Sequence, residues 1–450
     1  MLSKAYKKTQ VIPLHDVVWA ETSENTVVVQ YTRVDRRKRI CVNSLHYTIE
    51  TINNSHAASW VVNLLDHAYG PAQRRKRIKL LINPFSGQGK ALRYFLRDVE
   101  PVFAAARCHV DVEHTFHRGH AIDIAEKLDI NAYDAIACCS GDGLPHEVFN
   151  GLGRKSNAVE ALSKVAVVQL PCGTGNAMSL NLNGTDSPGL AALAIVKGLR
   201  TPLDLTSITQ SDQRILSFLS QSVGMVADVD LGTENVRWMG SARFTYGFLA
   251  RIMGKTVYPC DLNVKIDIDS KPEIQQHYHT SFLATQPMSC NSGAKEPSLQ
   301  GSLPTLKFGN VRSSMPTSFT RVDGHRLGNF YAGNMALMAP DANFFPASLP
   351  SDGYLDLITI DGDIGRLAAI QTFLGVEKGT HFNMPQVDYR KVSGYRIKPL
   401  AEKGYISIDG ESVSFEEFQA EVHRGLGLTL SRSGRGYEAA GVVPTGELCD

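Results

Sequence analysis

No uninterrupted apolar run in this 450-residue sequence approaches the ~18 residues that cross a bilayer, so a membrane-spanning helix is not expected. Net charge is nearly absent too. The chain sets 46 basic against 45 acidic residues, a balance of +1, without the basic excess of a dedicated nucleic-acid binder. Its eight cysteines lack metal-ligand spacing. Cys138 and Cys139 are neighbours in an apolar strand and point to opposite faces, so reduced thiols in a cytoplasmic protein are expected. The opening MLSKAYKKTQ lacks the apolar core of a signal peptide, and the closing ELCD is no prenylation box. No internal repeat is visible. What is present is ordinary globular material, 43% hydrophobic and 20% charged, with length for two to three domains.

Residues 80–91, LLINPFSGQGKA, run from an apolar strand into a glycine turn and a lysine, as a P-loop would. That pattern requires glycine where Pro84 stands and Ser or Thr where Ala91 stands, so it fails twice. A strand, a glycine turn and a helix start are left.

Residues 1–72 read as a small β unit closed by a helix, with TVVVQYTRV and RICVNSLHYTIETI as strands and Trp60, Leu64 and His67 at helical spacing. The outline is similar to a pleckstrin-homology module. The basic run Arg74–Arg77 reads either as a solvated linker or as a site of attraction to anionic lipid; the run Arg36–Arg39 reads as a second such site or a hairpin tip. Residues 76–205 alternate strand and helix: IKLLIN, HVDVEHT, YDAIACCS and KVAVVQLP are strands of a buried parallel sheet. On the first helix Leu92, Phe95, Leu96, Val99, Val102, Phe103 and Ala106 trace one face. Residues 206–432 read as an antiparallel β-sandwich with one helix near 240–254 and an aperiodic, mobile insertion at about 270–325. Residues 433–450 are a tail. The fold class expected is α/β plus all-β.

Three of the parallel strands end in glycine turns, NPFSGQGKA, SGDG and PCGTGNA. Strand carboxyl ends line one crevice in such sheets, and glycines admit phosphate oxygens close to backbone N–H groups. A nucleotide or polyphosphate cleft follows. Asp142, between two glycines, is either an Asp-Gly turn or a general base that takes a proton from an attacking hydroxyl. Glu147 is either a ligand for a sugar or for metal-bound water, or a first-turn charge. VADVDLG reads as a strand, which puts Asp228 and Asp230 on one face, either as counter-charges for an ammonium or as a solvent-facing edge. Arg237 and Arg243 are phosphate clamps or surface residues. Phe244, Phe248 and Ile252 form an apolar stripe for a core or an acyl chain. YISIDGESVSF signals a type I′ hairpin at Asp409-Gly410.

NPFSGQGKA, SGDGLPHEVFNGL and PCGTGNAMS together resemble the three signature blocks of the diacylglycerol-kinase-like catalytic domain, in the wording of fungal-type sphingosine or long-chain-base kinases. VGMVADVDLGTENVRWMGSARFTYG, DGYLDLITIDG and ISIDGE are similar to its later blocks, in order over about residues 78–430. The resemblance implies a kinase that uses ATP and Mg²⁺ to phosphorylate a sphingoid base. It implies nucleotide contacts by Asn83, Pro84, Phe85, Thr115, Phe116, His117, Arg118, Gly119, Ser140, Glu147, Gly173, Thr174, Gly175, Arg237, Arg243 and Asp409. Ser140, Gly141, Asp142, Gly143 and Asp230 would meet the substrate, with Asp142 as the base. Phe85 stands where some members carry arginine and Gly119 where others are polar, so only backbone contacts carry over there. A peripheral partner in an anionic membrane surface and a homodimer are further expectations. A ceramide or diacylglycerol kinase, or a silent nucleotide- or lipid-binding regulator, is the alternative.

Overall fold

The computed structural model describes residues 11–23, 25–36, 39–49, 54–232, 247, 251, 254, 256–285 and 301–442. Strands β1 (Val17–Ser23), β2 (Thr26–Val34) and β3 (Ile40–Thr48) form an antiparallel meander, and the helix Asn54–Tyr69 packs on it. Ala57, Val61, Leu65 and Ala68, four or three residues apart, are that helix's buried face. The expected face is displaced: Trp60 is half exposed and His67 is exposed, because the side towards β1 carries the smaller residues.

This unit is not free-standing. Its core is continuous with that of the next layer, from Val18 and Leu65 to Ile78 and Val168. Two buried lysines stitch the seam. Lys197 Nζ donates to Val17 O at 2.5 Å and Ala68 O at 2.9 Å, and lies 3.7 Å from the Tyr69 ring centroid. Lys76 Nζ donates to Gln73 O and to Val196 O at 2.7 Å. Ala68 and Val196 sit in the last turns of the helices Asn54–Tyr69 and Pro188–Lys197, where carbonyls lack intrahelical partners and favour a cation. The run Arg74–Arg77 is therefore anchored by contacts of its own, although Arg75 and Arg77 stay exposed. Arg74 pairs with Asp66, Arg75 stacks over Trp19, Lys76 is buried, and Arg77 pairs with Asp134.

Strands β4 (Arg77–Ile82), β5 (His109–His114), β6 (Ala135–Ser140) and β7 (Ala166–Pro171) form the parallel sheet, ordered β5-β4-β6-β7. Alternate residues of β6 enter opposite cores: Cys139 joins one cluster and Cys138 the other, as the sequence requires. In the helical segment after β4, Phe95, Val99, Val102, Phe103 and Ala106 are buried as expected, whereas Leu92 and Leu96 lie outside. A π-helical turn at Phe95–Val99 contributes to that offset.

The remainder is built from β8 (Leu199–Gln210), β9 (Gln213–Ser217), β10 (Ser220–Gly224), β11 (Cys260–Ile268), β12 (Thr320–Val322), β13 (Leu327–Gly333), the small pair β14 (Leu337–Ala339) and β15 (Ala342–Asn343), β16 (Leu355–Asp361), β17 (Asp388–Pro399), β18 (Ile406–Ile408), β19 (Glu411–Val413) and β20 (Phe418–Ser431). All but β14 and β15 join one eleven-stranded antiparallel sheet, curled about an apolar core. β20 pairs with β8 on both sides of a bulge, and Thr429 Oγ1 donates to Val167 O, so this ribbon runs up against the parallel sheet.

Two expectations need correction here. Where it is described, the stretch 270–325 is not aperiodic: Lys271–Ala284 is a helix whose first turn is capped by the Ser270 hydroxyl, and residues 286–300 lie outside the described residues. Glu421 accepts the N–H groups of Lys307 and Phe308, and Arg396 donates to the carbonyls of Asn310 and Ser313, so residues 307–313 are pinned to the sheet. Secondly, VADVDLG is not a strand. β10 ends at Gly224, with φ at +97°, and Met225–Gly232 is a helix. Asp228 and Asp230 therefore diverge rather than share a face.

Candidate active site

All four parallel strands end at one edge, where the loops after β4, β5 and β6 surround an open cleft. Asn83 and Phe85 follow β4, Thr115 to Arg118 follow β5, and Ser140, Gly143, Leu144 and Glu147 follow β6. Glu411 enters from the β18–β19 hairpin. The glycine turns are packed backbone to backbone. A Cβ on Gly87 would overlap Cys172 O, and one on Gly173 would overlap Gly141 Cα. Glycine is thus required by close approach, and at Gly87 also by φ of +59°. Asp142 N–H donates to Gly175 O, and Ser140 Oγ donates to Ser86 Oγ, which ties the three turns together. Thr174 and Gly175 are exposed at the third turn, whose closure comes from Asn176 bonding both backbone groups of Gly173.

Asp142 is partly exposed at the junction of the second and third turns. Its carboxylate accepts from Ala177 N at 2.9 Å, Met178 N at 3.0 Å and Gln169 Nε2 at 3.1 Å, at the N-terminus of the helix Ala177–Asn183. Burial pushes its pKa above the ordinary value, the charge of Asp409 adds to that, and the three donors oppose it. A carboxylate so held, in fixed orientation and with raised basicity, suits proton abstraction. Glu147 caps a neighbouring element: Oε1 accepts from Gly119 N and Oε2 from Ala121 N, which fixes the loop Thr115–Gly119. Arg118 reaches across the cleft mouth to Glu411 at 2.6 Å.

Asp409 sits in the hairpin at φ +53° with Gly410 at +82°, the type I′ geometry read from the sequence. It accepts from Ser217 Oγ, from the N–H groups of Phe218, Leu219 and Ser220, and pairs with His146 Nδ1 at 2.8 Å. It thereby fixes the hairpin that delivers Glu411 to the cleft. Asp230 accepts from Ser407 Oγ of that hairpin at 3.3 Å, and its Oδ2 lies beside Gly410. Burial raises the pKa of Tyr331, and the charges of Asp230, Asp409 and Asp142 add to it, so each of the three acids lies within electrostatic reach of that ring. Asp228 instead pairs with Arg251 and Tyr258. Arg237, Arg243, Phe244, Phe248 and Ile252 lie outside the described residues.

A second cavity is lined at the start of the helix Met225–Gly232 by Met225 and Val226. Met225, Val226, Phe344, Ile360, Ile364 and Phe373 give it an apolar wall. Among the described residues no three His, Cys, Asp or Glu side chains are grouped so as to hold a metal ion. None of them forms a helix long and apolar enough to cross a membrane.

Gln169 and His146 were not singled out in the sequence. A signal existed for Gln169, because a lone amide inside the wholly buried strand AVVQLP must find partners. His146 lies one helical turn after Asp142, a spacing that carries no message until the hairpin is in place.

A parallel sheet with glycine turns at one edge, continued by a curled antiparallel sheet, is the fold of diacylglycerol-kinase-type enzymes. The crystal structure of a diacylglycerol kinase from Bacillus anthracis matches with a TM-score of 0.52 at 19% identity, covering 79% of this chain and 97% of that one, which bears on the fold alone. The family model for the diacylglycerol kinase catalytic domain matches residues 77–208, and a domain of unknown function matches residues 1–70. The chain is 35% identical over 425 residues to sphingoid long chain base kinase 5 of Saccharomyces cerevisiae, covering 83% of this chain and 62% of that protein's length. It is 33% identical over 423 residues to sphingoid long chain base kinase 4 of Schizosaccharomyces pombe, covering 93% and 88%. Human sphingosine kinase 1 matches at 28% over 374 residues, covering 80% and 92%. The chain belongs to the sphingoid long chain base kinase family.

Proposed function

We propose that this protein transfers the γ-phosphate of ATP to the primary hydroxyl of a sphingoid long-chain base. The observation that supports this reading is a chain of contacts between the two cavities. The apolar cavity is walled by Met225 and Val226; the same helix bears Asp230; Asp230 meets the β18–β19 hairpin; and that hairpin lines the glycine-turn cleft through Glu411. An alkyl chain in the cavity, gaining about 0.8 kcal/mol per buried CH₂, would place a head group beside Asp230. Its carboxylate offers the counter-charge to an ammonium, which ceramide and diacylglycerol lack.

In this reading the glycine turns hold the triphosphate and Asp142 takes the hydroxyl proton. The alkoxide oxygen bonds to the γ-phosphorus, the bond to the bridging oxygen breaks, and ADP leaves. Mg²⁺ would arrive with the nucleotide and neutralise charge on its phosphates. Because the acceptor is a membrane lipid, the protein works peripherally at a bilayer.

Radiolabelled phosphate transfer against a panel of lipid alcohols tests the reading. Sphingoid bases should be phosphorylated and amine-free lipids should not. Asp230→Asn should lower kcat/KM for the base about tenfold or more, the loss of one charge-assisted contact of about 1.5–3 kcal/mol. Equal turnover of amine-free lipids by the wild type, with Asp230→Asn harmless, removes it.

A further inference from the structure

The cleft is chemically uneven. Its floor is polar, with Asn83, Ser140 and Glu147, while its rim carries two phenyl rings. Phe85 is 78% exposed and Phe116 is 72% exposed. An exposed apolar residue alone needs no explanation. Here two of the largest stand on adjacent strand ends, β4 and β5, whose register pairs Ile82 with His114 just before the two loops. Both line the same cleft, and neither belongs to any of the apolar clusters of the fold.

Their backbones are fixed although the rings are open. Asn83 Oδ1 accepts Phe85 N–H at 3.0 Å, and His120 Nδ1 accepts Phe116 N–H at 3.2 Å. The His120 ring also lies 5.4 Å from the Phe116 ring. These are two anchored and largely exposed aromatic surfaces, Phe116 beside the His120 ring, at the rim of a cleft with a polar floor. The ligand part that fits is flat and heteroaromatic, and it is tied to an anionic tail.

We infer that Phe85 and Phe116 are the base-stacking walls of the nucleotide site and set its base preference through ring area rather than hydrogen bonding. This rests on the cleft being the nucleotide site. Stacking accepts any π-face, so the site takes purine triphosphates with little distinction between ATP and GTP and takes pyrimidine triphosphates less well.

Because both rings are exposed, their removal leaves the fold intact, which a thermal melt verifies. Phe85→Ala and Phe116→Ala should each raise KM for ATP about tenfold, the loss falling on KM rather than kcat, and Phe85→Tyr should restore it. Phe85→Trp supplies a readout that needs no lipid: ATP added to the protein alone should quench the introduced indole. An unchanged KM in both alanine variants of an active kinase, or a tenfold preference for ATP over GTP, overturns the inference and leaves the proposed reaction standing. Quenching by ATP without transfer to any lipid supports the stacking walls and removes the reaction.

Discussion

Replacing Asp142 by asparagine should separate chemistry from folding. The carboxylate accepts three hydrogen bonds, two of them from the first N–H groups of the helix Ala177–Asn183. Asparagine keeps one oxygen and points an NH₂ group at a donor. Loss of a helix-end acceptor costs about 1 kcal/mol, and an unpaired buried donor about 1–3 kcal/mol. An opposing contribution comes from the carboxylate itself. Burial, and then the charge of Asp409, raises its pKa above the ordinary 3.8, so the folded protein binds that proton more tightly than the unfolded chain. Stability is therefore lost as pH rises through this window, and the charged form at neutral pH is a cost that asparagine removes. The two contributions offset, and the net change should be about 1 kcal/mol in either direction. Turnover should fall about 10²- to 10⁴-fold, the usual effect of losing a general base. In the wild type the acid limb of kcat/KM should lie above the ordinary carboxylate range, and the residual activity of the variant should lack it. Radiolabelled transfer at saturating ATP, with melting curves in parallel, measures both. Turnover within a few-fold of wild type would reduce Asp142 to a helix cap; a melt lowered by many degrees would mean that the capping role dominates.

Gly87→Ala should cost about 2 kcal/mol or more and weaken ATP binding, because its Cβ meets the Cys172 carbonyl at φ +59°. Gly119→Ala, equally left-handed at φ +86° but in open space, should cost only about 1–2 kcal/mol; equal melting temperatures for the two would show that the loops do not touch. Lys197 is held down to about 7, chiefly by burial and then by the charge of Lys76, whereas the unfolded lysine titrates near 10.5. Between these values the unfolded chain binds more protons, so stability gains with pH. Calorimetry should show the melting temperature of wild type minus Lys197→Met rising from about pH 7 to about pH 9; a flat difference contradicts the buried-lysine seam.

The parallel sheet was legible because strands buried on both faces have no choice but to be apolar throughout, and because glycine marks a turn wherever backbone meets backbone. The hairpin was legible since two consecutive left-handed residues leave few options besides Asp-Gly. The helix Met225–Gly232 was not. It is buried on more than one side, with Ala227 and Val229 both inside and contacts to β10, β13 and β18, so its apolar residues carry no 3.6-residue period and alternate like a strand. The run Arg74–Arg77 misled for a related reason. Charge in a sequence reads as solvent, whereas Lys76 goes inward to a carbonyl contributed by a helix more than a hundred residues away. Partners of that kind belong to the tertiary fold and leave no trace in local spacing.

The link between the parallel-sheet half and the curled-sheet half, proposed to hold nucleotide and lipid, can be tested through His146. Burial alone would depress its pKa; the hydrogen bond to Asp409 and that residue's charge outweigh burial and hold it above the ordinary 6.5. A histidine with a raised folded pKa contributes stability that is fully present below about 6.5 and is lost as pH rises through the folded value. His146→Gln should therefore cost about 1.5–3 kcal/mol near pH 6, as expected for a hydrogen bond between charged groups, and distinctly less near pH 9. In a double-mutant cycle with Asp409→Asn, the coupling should fade over the same range. Phosphate transfer should suffer more than ATP binding, because the hairpin fixed by Asp409 also meets Asp230, whereas the glycine turns stand without it. A cost for His146→Gln that is equal at both pH values would mean the imidazole is neutral throughout. The turn Ser217–Ser220 alone would then balance the Asp409 charge, and the helix after the second glycine turn would have no electrostatic hold on the curled-sheet half.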